Sequence, residues 1–263
     1  MSVDRRVRLS VRTLVLGYLG VLLFVPVGLV LYRTFQHGVL PVWQSITTPA
    51  AVHAFWLTLE IALIAVPLNT IFGVVMALAL VRGRFRGKWI IDAAISLPFA
   101  LSPVVIGLAL LLVYGRGGWV SLPFQVIFSL PGMVLATVFV SLPFVAREVV
   151  PTLREIGDDQ EQAAFTLGAS GWQTFWRITL PSIRWAVIYG VILTTARCLG
   201  EYGAVAVVSG RLQGETETAT LRVQERWEAF DVAGAYAISI VLAMIAILVL
   251  VAMTAIRPKE ERA

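Results

Sequence analysis

The sequence contains little that an enzyme would need. Among 263 residues there is one cysteine, Cys198, so no disulfide can form within the chain. Only two histidines occur, His37 and His53, and no cluster of histidine, cysteine and carboxylate side chains stands out as a metal site. No pair of catalytic carboxylates stands out either. We therefore expect no catalytic residue, no metal site and no cofactor in this chain.

Charge is scarce as well. Only 14% of the residues are charged, against about 25% in an ordinary soluble domain. The net charge of +5 is not typical of nucleic-acid binding, because the arginines and lysines cluster at the ends of apolar runs and not on one face. We expect no nucleic-acid partner.

A phosphate-binding loop is also missing. The segment at 83–89, Gly-Arg-Phe-Arg-Gly-Lys-Trp, has three residues between its glycines where such a loop has four. Trp89 stands where a serine or threonine would hold magnesium. We interpret this basic segment as a signal for membrane topology, and the chain is not expected to hydrolyse ATP.

Apolar residues are abundant: 58% of the chain is hydrophobic and the mean hydropathy is +0.84. Six runs each exceed the roughly 20 residues that a helix needs to cross the hydrocarbon core of a bilayer. Backbone polar groups in lipid must be satisfied internally, so these runs are expected to be helices. We predict an all-α, polytopic helical membrane protein with six transmembrane helices. Their predicted bounds are 13–35, 54–81, 89–113, 125–146, 183–209 and 232–256.

The basic residues predict the orientation in the membrane. If the N-terminus is cytoplasmic, fifteen arginines and lysines lie on the inner side and five on the outer side. Positive charge accumulates in cytoplasmic loops. We therefore predict that both termini and the polar segment between the fourth and fifth spans face the cytoplasm.

That polar segment, 157–181, interrupts an otherwise apolar chain. Asp158 and Glu161 have the spacing of a capping box, and Gly168 can end the resulting helix in a left-handed conformation. Ser170 and Gln173 predict the start of a second helix. Its apolar stripe would consist of Trp172, Phe175, Trp176 and Thr179. Such a segment is what a membrane protein needs in order to hold a soluble partner, although the second helix could equally lie on the lipid headgroups.

The same segment resembles the EAA loop of ABC-importer permeases, whose pattern is E-A-A-x3-G-x9-I-x-L-P. Six of the seven signature positions match; the departure is glutamine at the first position, with a glutamate one place earlier. The resemblance implies a type I ABC-importer transmembrane domain, with a coupling helix near 158–168 that docks on an ATPase subunit. The residues implied in coupling are Glu161, Gln162, Ala163, Ala164, Gly168, Ile178, Leu180 and Pro181.

A second motif is similar to the oxyanion branch of these permeases. Residues 196–204 read Ala-Arg-Cys-Leu-Gly-Glu-Tyr-Gly-Ala, which fits the A-R-x-x-G-E-[FY]-G-A pattern shared by sulfate and molybdate permeases. The Val-Val-Ser-Gly that follows and the loop at 214–216 resemble most closely the W-type subunit of sulfate/thiosulfate importers. The resemblance implies residues 1–54 as an N-terminal part, 55–256 as the transmembrane domain and 257–263 as a cytoplasmic tail.

The same resemblance implies the partners. These are a dimer of ATP-binding subunits that carries ATP and Mg²⁺, a homologous permease subunit in a heterodimer, and an external sulfate-binding protein that docks partly on the outer loop 210–231. The location implied is the inner membrane of a bacterium.

Two charges inside the fifth span form a candidate gate. Arg197 and Glu201 are predicted near the middle of that span, four residues apart, and can pair on one helical face. Arg197 could offer a positive point to an oxyanion, or the pair could lock helix packing. Gly200 and Gly203 would allow close helix contact.

Two other functions stay open. A molybdate or tungstate permease would share the second motif and pair with itself. An ion-gradient-driven transporter or channel would have no ATPase, but it would leave the spacing of the EAA-like loop unexplained.

Overall fold

The computed structural model describes residues 5–36, 38–120 and 122–256. Within those ranges every regular element is helical. The predicted tail at 257–263 lies outside them. The elements in chain order are α1 (Arg5–Phe35), α2 (Val39–Ile46), α3 (Pro49–Val81), α4 (Lys88–Ala100), α5 (Pro103–Tyr114), α6 (Leu130–Ser141), α7 (Pro143–Ile156), α8 (Asp159–Thr166), α9 (Gly171–Thr174), a π-helical turn (Phe175–Thr179), α10 (Leu180–Leu199), α11 (Val205–Val208), α12 (Ala219–Glu228) and α13 (Val232–Ile256).

Five helical stretches are long and apolar enough to cross a membrane, and α4 with α5 provides a sixth if that bent pair is one span. This confirms the prediction of an all-α, polytopic membrane protein. The last helix, α13, has the predicted bounds. The second span begins at Pro49, ahead of the predicted start at 54, because the Thr48 hydroxyl accepts a hydrogen bond from the Ala51 amide and Pro49 suits the first helical position.

The third span is not the single helix predicted over 89–113. Helix α4 ends at Ala100, α5 begins at Pro103, and the two helices are bent by 112°. Proline disfavours the helical conformation in the residue before it, and Ser102 is accordingly extended, with φ −64° and ψ 138°. The prediction was wrong because it weighed apolar length and ignored this local effect.

The fourth span is displaced relative to the prediction of 125–146. It consists of α6 and α7, which together cover Leu130–Ile156. Helix α7 is amphipathic, with Val145, Val149 and Leu153 buried along one face at intervals of four residues. An amphipathic helix needs apolar residues only on the face that it buries, so α7 can continue past the end of the apolar run. The length of that run therefore does not predict where the helix ends.

The fifth span, Gly171–Leu199, both begins and ends earlier in the chain than the predicted 183–209. Helix α10 ends at Leu199, Gly200 follows as its C-cap, and the chain turns before the short helix α11. The predicted outer loop 210–231 is folded: it contains α12, whose first amide, Ala219 N–H, donates to the Thr58 hydroxyl of α3 at 2.9 Å.

The two largest apolar cores of the described part of the chain lie in different parts of the bundle. One lies among α5, α6, α11 and the first half of α3, and is built from Leu57, Ile61, Ile106, Ile127, Met133, Val134, Ala136, Val140, Ala204, Val205, Val208 and Leu221. The other, here called the α7 core, joins α7 to α3 and α10 and contains Val74, Ala77, Val145, Val149, Leu153, Ile183 and Ala186.

Polar side chains lie between the two cores. The Asn69 amide donates to the Ser141 hydroxyl at 2.7 Å, and that hydroxyl lies 3.4 Å from the Cys198 sulfur. Cys198 is 4% exposed. Cys198 is therefore a small core residue, and Ser141 lies one residue before the joint between α6 and α7.

Candidate functional site

The polar segment forms the short helix α8, but the helix does not begin as predicted. Asp158 holds the N-cap position without a hydrogen bond from its side chain to the backbone. The predicted capping box with Glu161 is therefore wrong. The Glu161 carboxylate turns instead toward Arg82, whose Nε lies 2.8 Å from Oε2. A full positive charge is a stronger partner for a carboxylate than a neutral amide.

The end of α8 agrees with the prediction. Gly168 has φ +86°, in the left-handed region that glycine adopts without a steric penalty. The Ala169 amide donates to the Ala164 carbonyl and the Gly168 amide donates to the Phe165 carbonyl, both at 3.0 Å. These two bonds form a Schellman motif, which satisfies carbonyls left open at the helix end.

The predicted capping box of the second helix is confirmed. The Ser170 hydroxyl accepts from the Gln173 amide at 3.3 Å, and the Gln173 side chain accepts from the Ser170 amide at 2.9 Å. Helix α9 then passes through the π-helical turn directly into α10. The second helix of the polar segment is thus the first part of the fifth span.

The predicted apolar stripe of this helix is split between two environments. Thr179 is buried and Phe175 packs against the α7 core, whereas Trp172 and Trp176 are 71% and 51% exposed. The rings of Trp172 and Trp176 contact each other edge to face, with centroids 5.5 Å apart. Two exposed tryptophans beside the polar helix favour an interface with lipid headgroups or with a protein.

The residues of the EAA-like pattern divide by exposure. Ala164 is 8% exposed and lies against the body of the bundle. Two large apolar neighbours point outward: Phe165 is 53% and Leu167 is 88% exposed. Among the other coupling residues, those that are exposed are Gln162, Ala163, Gly168 and Pro181. Those that are half-buried are Glu161, Ile178 and Leu180. Helix α8 therefore presents a free face with apolar tips.

Sequence reasoning missed two side chains at this site, Arg82 and Thr179, in their role as partners of Glu161. In the sequence, Arg82 is one of the fifteen basic residues that predict the orientation in the membrane. The Thr179 hydroxyl donates to Glu161 Oε1 at 2.8 Å. The signal available in the sequence was Glu161 itself, because a carboxylate between apolar helices needs a positive partner.

Arg197 and Glu201 form the predicted ion pair, with Nη1 and Oε2 2.6 Å apart. Their predicted place in the middle of the span is wrong. Arg197 lies in the last turn of α10, and Glu201 follows the helix end with 2% of its side chain exposed. The other carboxylate oxygen accepts from the Ala204 amide at 2.9 Å. Glu201 thus stabilises the turn between α10 and α11.

The two glycines of this motif differ. A Cβ at Gly203 would come 3.0 Å from Pro103 Cβ, so that glycine does allow a close approach to α5. A Cβ at Gly200 would meet only the Ala196 carbonyl at 3.6 Å, an ordinary contact. Gly200 therefore does not serve the close packing predicted for it.

No group of three or more potential metal ligands occurs within the described ranges. A cavity of about 750 Å³ lies beside the end of α5, lined among others by Tyr114, Arg116, Gln125 and Phe128. None of the predicted site residues lines it, so it lies apart from both candidate sites.

Apolar spans, with a short polar helix held outside the bundle, place the chain in the class of polytopic helical membrane proteins. The particular family is shown by residues 69–262, which match the family described as "Binding-protein-dependent transport system inner membrane component". The chain belongs to this family. It is a permease component of an ABC transporter at the inner membrane, and not an enzyme.

Similar proteins are consistent with this assignment. The chain is 47% identical over 251 residues to the "Sulfate transport system permease protein CysW" of Synechocystis sp., covering 94% of this chain and 91% of the relative. It is 41% identical over 242 residues to the "Probable sulfate transport system permease protein cysT" of Chlorokybus atmophyticus, covering 90% and 85%. Both names refer to sulfate, and neither supports the molybdate alternative.

A solved structure has the same fold. It is a bacterial alginate ABC transporter in complex with a periplasmic protein bound to an alginate pentasaccharide. The TM-score is 0.77 at 16% identity, covering 95% of this chain and 93% of that chain. At this identity the likeness concerns the fold alone.

Proposed function

We propose that this chain is a membrane-spanning permease subunit of an ATP-driven importer that moves sulfate or thiosulfate across the cytoplasmic membrane. The observation that carries the proposal is helix α8, which the spans hold outside the bundle with Phe165 and Leu167 exposed. A short polar helix with two exposed apolar side chains at its end suits a cleft in a soluble subunit. The sulfate names of the relatives support the choice of substrate.

The proposed partners follow from this role. A dimer of ATP-binding subunits, which carries ATP and Mg²⁺, receives α8 from the cytoplasmic side. A homologous permease subunit completes a heterodimer, and the similarity to relatives named both CysW and cysT supports two different permease chains. An external sulfate-binding protein docks on the opposite face, partly on 210–231. In this arrangement both termini are cytoplasmic.

The proposed mechanism is alternating access. Closure of the ATPase dimer displaces α8, and the helices attached to α8 tilt. Glu161, Gln162, Ala163, Ala164 and Gly168 shape the docking helix, while Ile178, Leu180 and Pro181 lie where the π-helical turn passes into α10. We assign Arg197 and Glu201 to the turn that joins α10 and α11, because Glu201 neutralises most of the attraction that Arg197 would have for a dianion.

The test is to purify the chain from its own membranes and identify its companions. We expect an ATP-binding subunit and a second, different permease chain, and ATP-dependent uptake of radioactive sulfate by the reconstituted complex. A homodimer that transports molybdate would contradict the sulfate assignment. Uptake that follows an ion gradient, with no ATP-binding subunit present, would overturn the proposal as a whole.

A further inference from the structure

Arg82, at the end of α3, reaches three separate parts of the chain with one side chain. Its Nε donates to Glu161 Oε2 in α8 at 2.8 Å, and its Nη1 donates to the Leu153 carbonyl in α7 at 3.3 Å. Its Nη2 donates to the carbonyl of Gly157, between α7 and α8. The planar guanidinium group is suited to several directed hydrogen bonds at once.

Glu161 extends this contact to the fifth span. Its second oxygen accepts from the hydroxyl of Thr179, a buried residue in the π-helical turn before α10. The Arg82 and Glu161 side chains are only 22% and 14% exposed. Their pair is therefore screened less by water than an ion pair on an open surface. A continuous polar link, Arg82–Glu161–Thr179, joins α3, α8 and the start of α10.

Glycine flanks α8 on both sides. Gly157 precedes the helix with φ +70° and Gly168 follows it with φ +86°. A glycine at each end leaves the chain free of the side-chain constraints that would fix the direction of α8. Ala164 is the buried residue within α8 itself. The side-chain link therefore adds a directed polar attachment to the packing of Ala164.

The helices at the other end of the link form one tightly packed unit. Val145 of α7 lies between Gly73 of α3 and Gly190 of α10. A Cβ added at Gly73 would lie 2.6 Å from Val145, and a Cβ added at Gly190 would lie 2.8 Å from it. Interiors packed this closely transmit displacement instead of absorbing it. A force on α8 that passes through Arg82 would therefore act on three helices together.

We propose that Arg82 is a positioning residue that fixes the docking helix α8 to α3, α7 and α10, so that movement of α8 is transmitted to the spans. The inference rests on the proposed function. It deepens that function by naming the residue through which ATP-driven movement enters the membrane.

The test compares Arg82→Met with Arg84→Met in the complete importer. Arg84 is exposed in the same segment, so its replacement removes the same charge and leaves the link intact. In proteoliposomes we expect the sulfate imported per ATP hydrolysed to fall about tenfold for Arg82→Met. For Arg84→Met it should stay near the wild-type value. The ATP-binding subunit should still co-purify with both variants, since neither side chain lies on the exposed face of α8.

Milder variants test the link without removing Arg82 from the Leu153 and Gly157 carbonyls. Glu161→Gln and Thr179→Val should each lower the import per ATP less than Arg82→Met does. Adding Glu161→Gln to Arg82→Met should cause little further loss, because both changes break the same contact. Full additivity of the two losses would contradict a shared link.

Hydrogen exchange separates this inference from the proposed function, because it needs only this chain. The amides of 159–166 should exchange faster in Arg82→Met than in Arg84→Met, since α8 loses its attachment. Faster exchange in Arg82→Met would support the link whether or not an ATP-binding subunit accompanies the wild type. The absence of that subunit would contradict the proposed function but not the link. Equal exchange in the two variants, together with equal import per ATP, would overturn the role of Arg82.

Discussion

Gly73 and Gly190 decide how closely three helices approach one another in the α7 core. At Gly190, a Cβ would lie 2.8 Å from the backbone Cα atom of Val145. Rotation of a side chain cannot relieve this contact, because the Val145 Cα atom belongs to the backbone. A single methyl group at this position therefore forces α7 and α10 apart.

Gly190→Ala should lower the stability of the chain. Overpacking of a well-filled core costs about 1–3 kcal/mol, which should appear as a lower midpoint in thermal unfolding in detergent. The matched control is Gly17→Ala in α1, where an added Cβ meets nothing within 4 Å. Equal midpoints for the two variants would show that α7 and α10 are not packed as closely as described.

Gly168→Val should abolish sulfate uptake while the chain still inserts into the membrane. A β-branched residue is strained at φ +86°, by about 1–2 kcal/mol, and relief of that strain would shift the end of α8. The control is Gly171→Ala, at the start of α9, where the φ is ordinary and no neighbour lies within 4 Å of the added Cβ. Retained uptake in Gly168→Val would count against a docking role for α8.

At the scale of the element, the segment 210–231 depends on a buried ion pair. Arg222 and Glu217 are 3% and 2% exposed, and Nη1 lies 3.1 Å from Oε2. Burial raises the pKa of Glu217, and the positive charge of Arg222 opposes that rise. Removal of Arg222 would leave a carboxylate in a site with little water.

Arg222→Met should therefore destabilise the fold by about 3–5 kcal/mol near neutral pH. Arg226→Met is the control, because its ion pair with Asp231 is partly exposed and should contribute less than about 1 kcal/mol. Thermal unfolding of both variants makes the comparison. If Arg222→Met lowered the stability no more than Arg226→Met does, the importance of the buried ion pair would be contradicted.

The defect of Arg222→Met should also depend on pH in a defined direction. Without Arg222 the pKa of Glu217 rises further, so the folded state binds a proton more readily than the unfolded state does. The defect should then shrink as the pH falls toward the ordinary value for glutamate, about 4.3, and grow as the pH rises. The double variant Glu217→Gln/Arg222→Met is the control, and its stability should not show this pH dependence. If the loss of stability in Arg222→Met did not change with pH, the mechanism would be contradicted.

Elements whose ends depend on local chemistry could be predicted from the sequence, and elements ended by distant contacts could not. The Ser170 capping box and the left-handed Gly168 follow from neighbouring residues alone. The Asp158 capping box failed because Arg82, far away in the chain, attracts Glu161 more strongly. The bend at Ser102 was predictable in principle, since proline acts on its neighbour, but apolar length concealed it.

At the scale of the whole molecule, the number of apolar helices was predictable because lipid requires closed backbone hydrogen bonding. The division of the bundle into separate apolar cores, with Asn69, Ser141 and Cys198 linked between the two largest, was not predictable. It depends on which faces of α3, α6 and α10 meet. In α3 the apolar residues surround the helix on all sides, so the sequence does not reveal the contact face.

The orientation in the membrane is a further whole-molecule prediction, and the lone Cys198 makes it simple to test. Cys198 is buried, so wild-type protein should not react with a membrane-impermeant maleimide. Two exposed glutamates, Glu155 at the end of α7 and Glu215 before α12, can each be replaced by cysteine with the same change of charge. Each variant then carries one reactive thiol on a known side of the bundle.

Glu155→Cys should be labelled only in inside-out vesicles and Glu215→Cys only in right-side-out vesicles. The physical reason is the concentration of arginine and lysine in the segments around 82–88 and 147–184, because segments rich in positive charge tend to stay on the cytoplasmic side of the membrane. Wild-type protein, unlabelled in both preparations, is the control for Cys198. The reverse pattern would place α8 outside the cell, where no ATP-binding subunit could reach it, and the proposed coupling through Arg82 would fail with it.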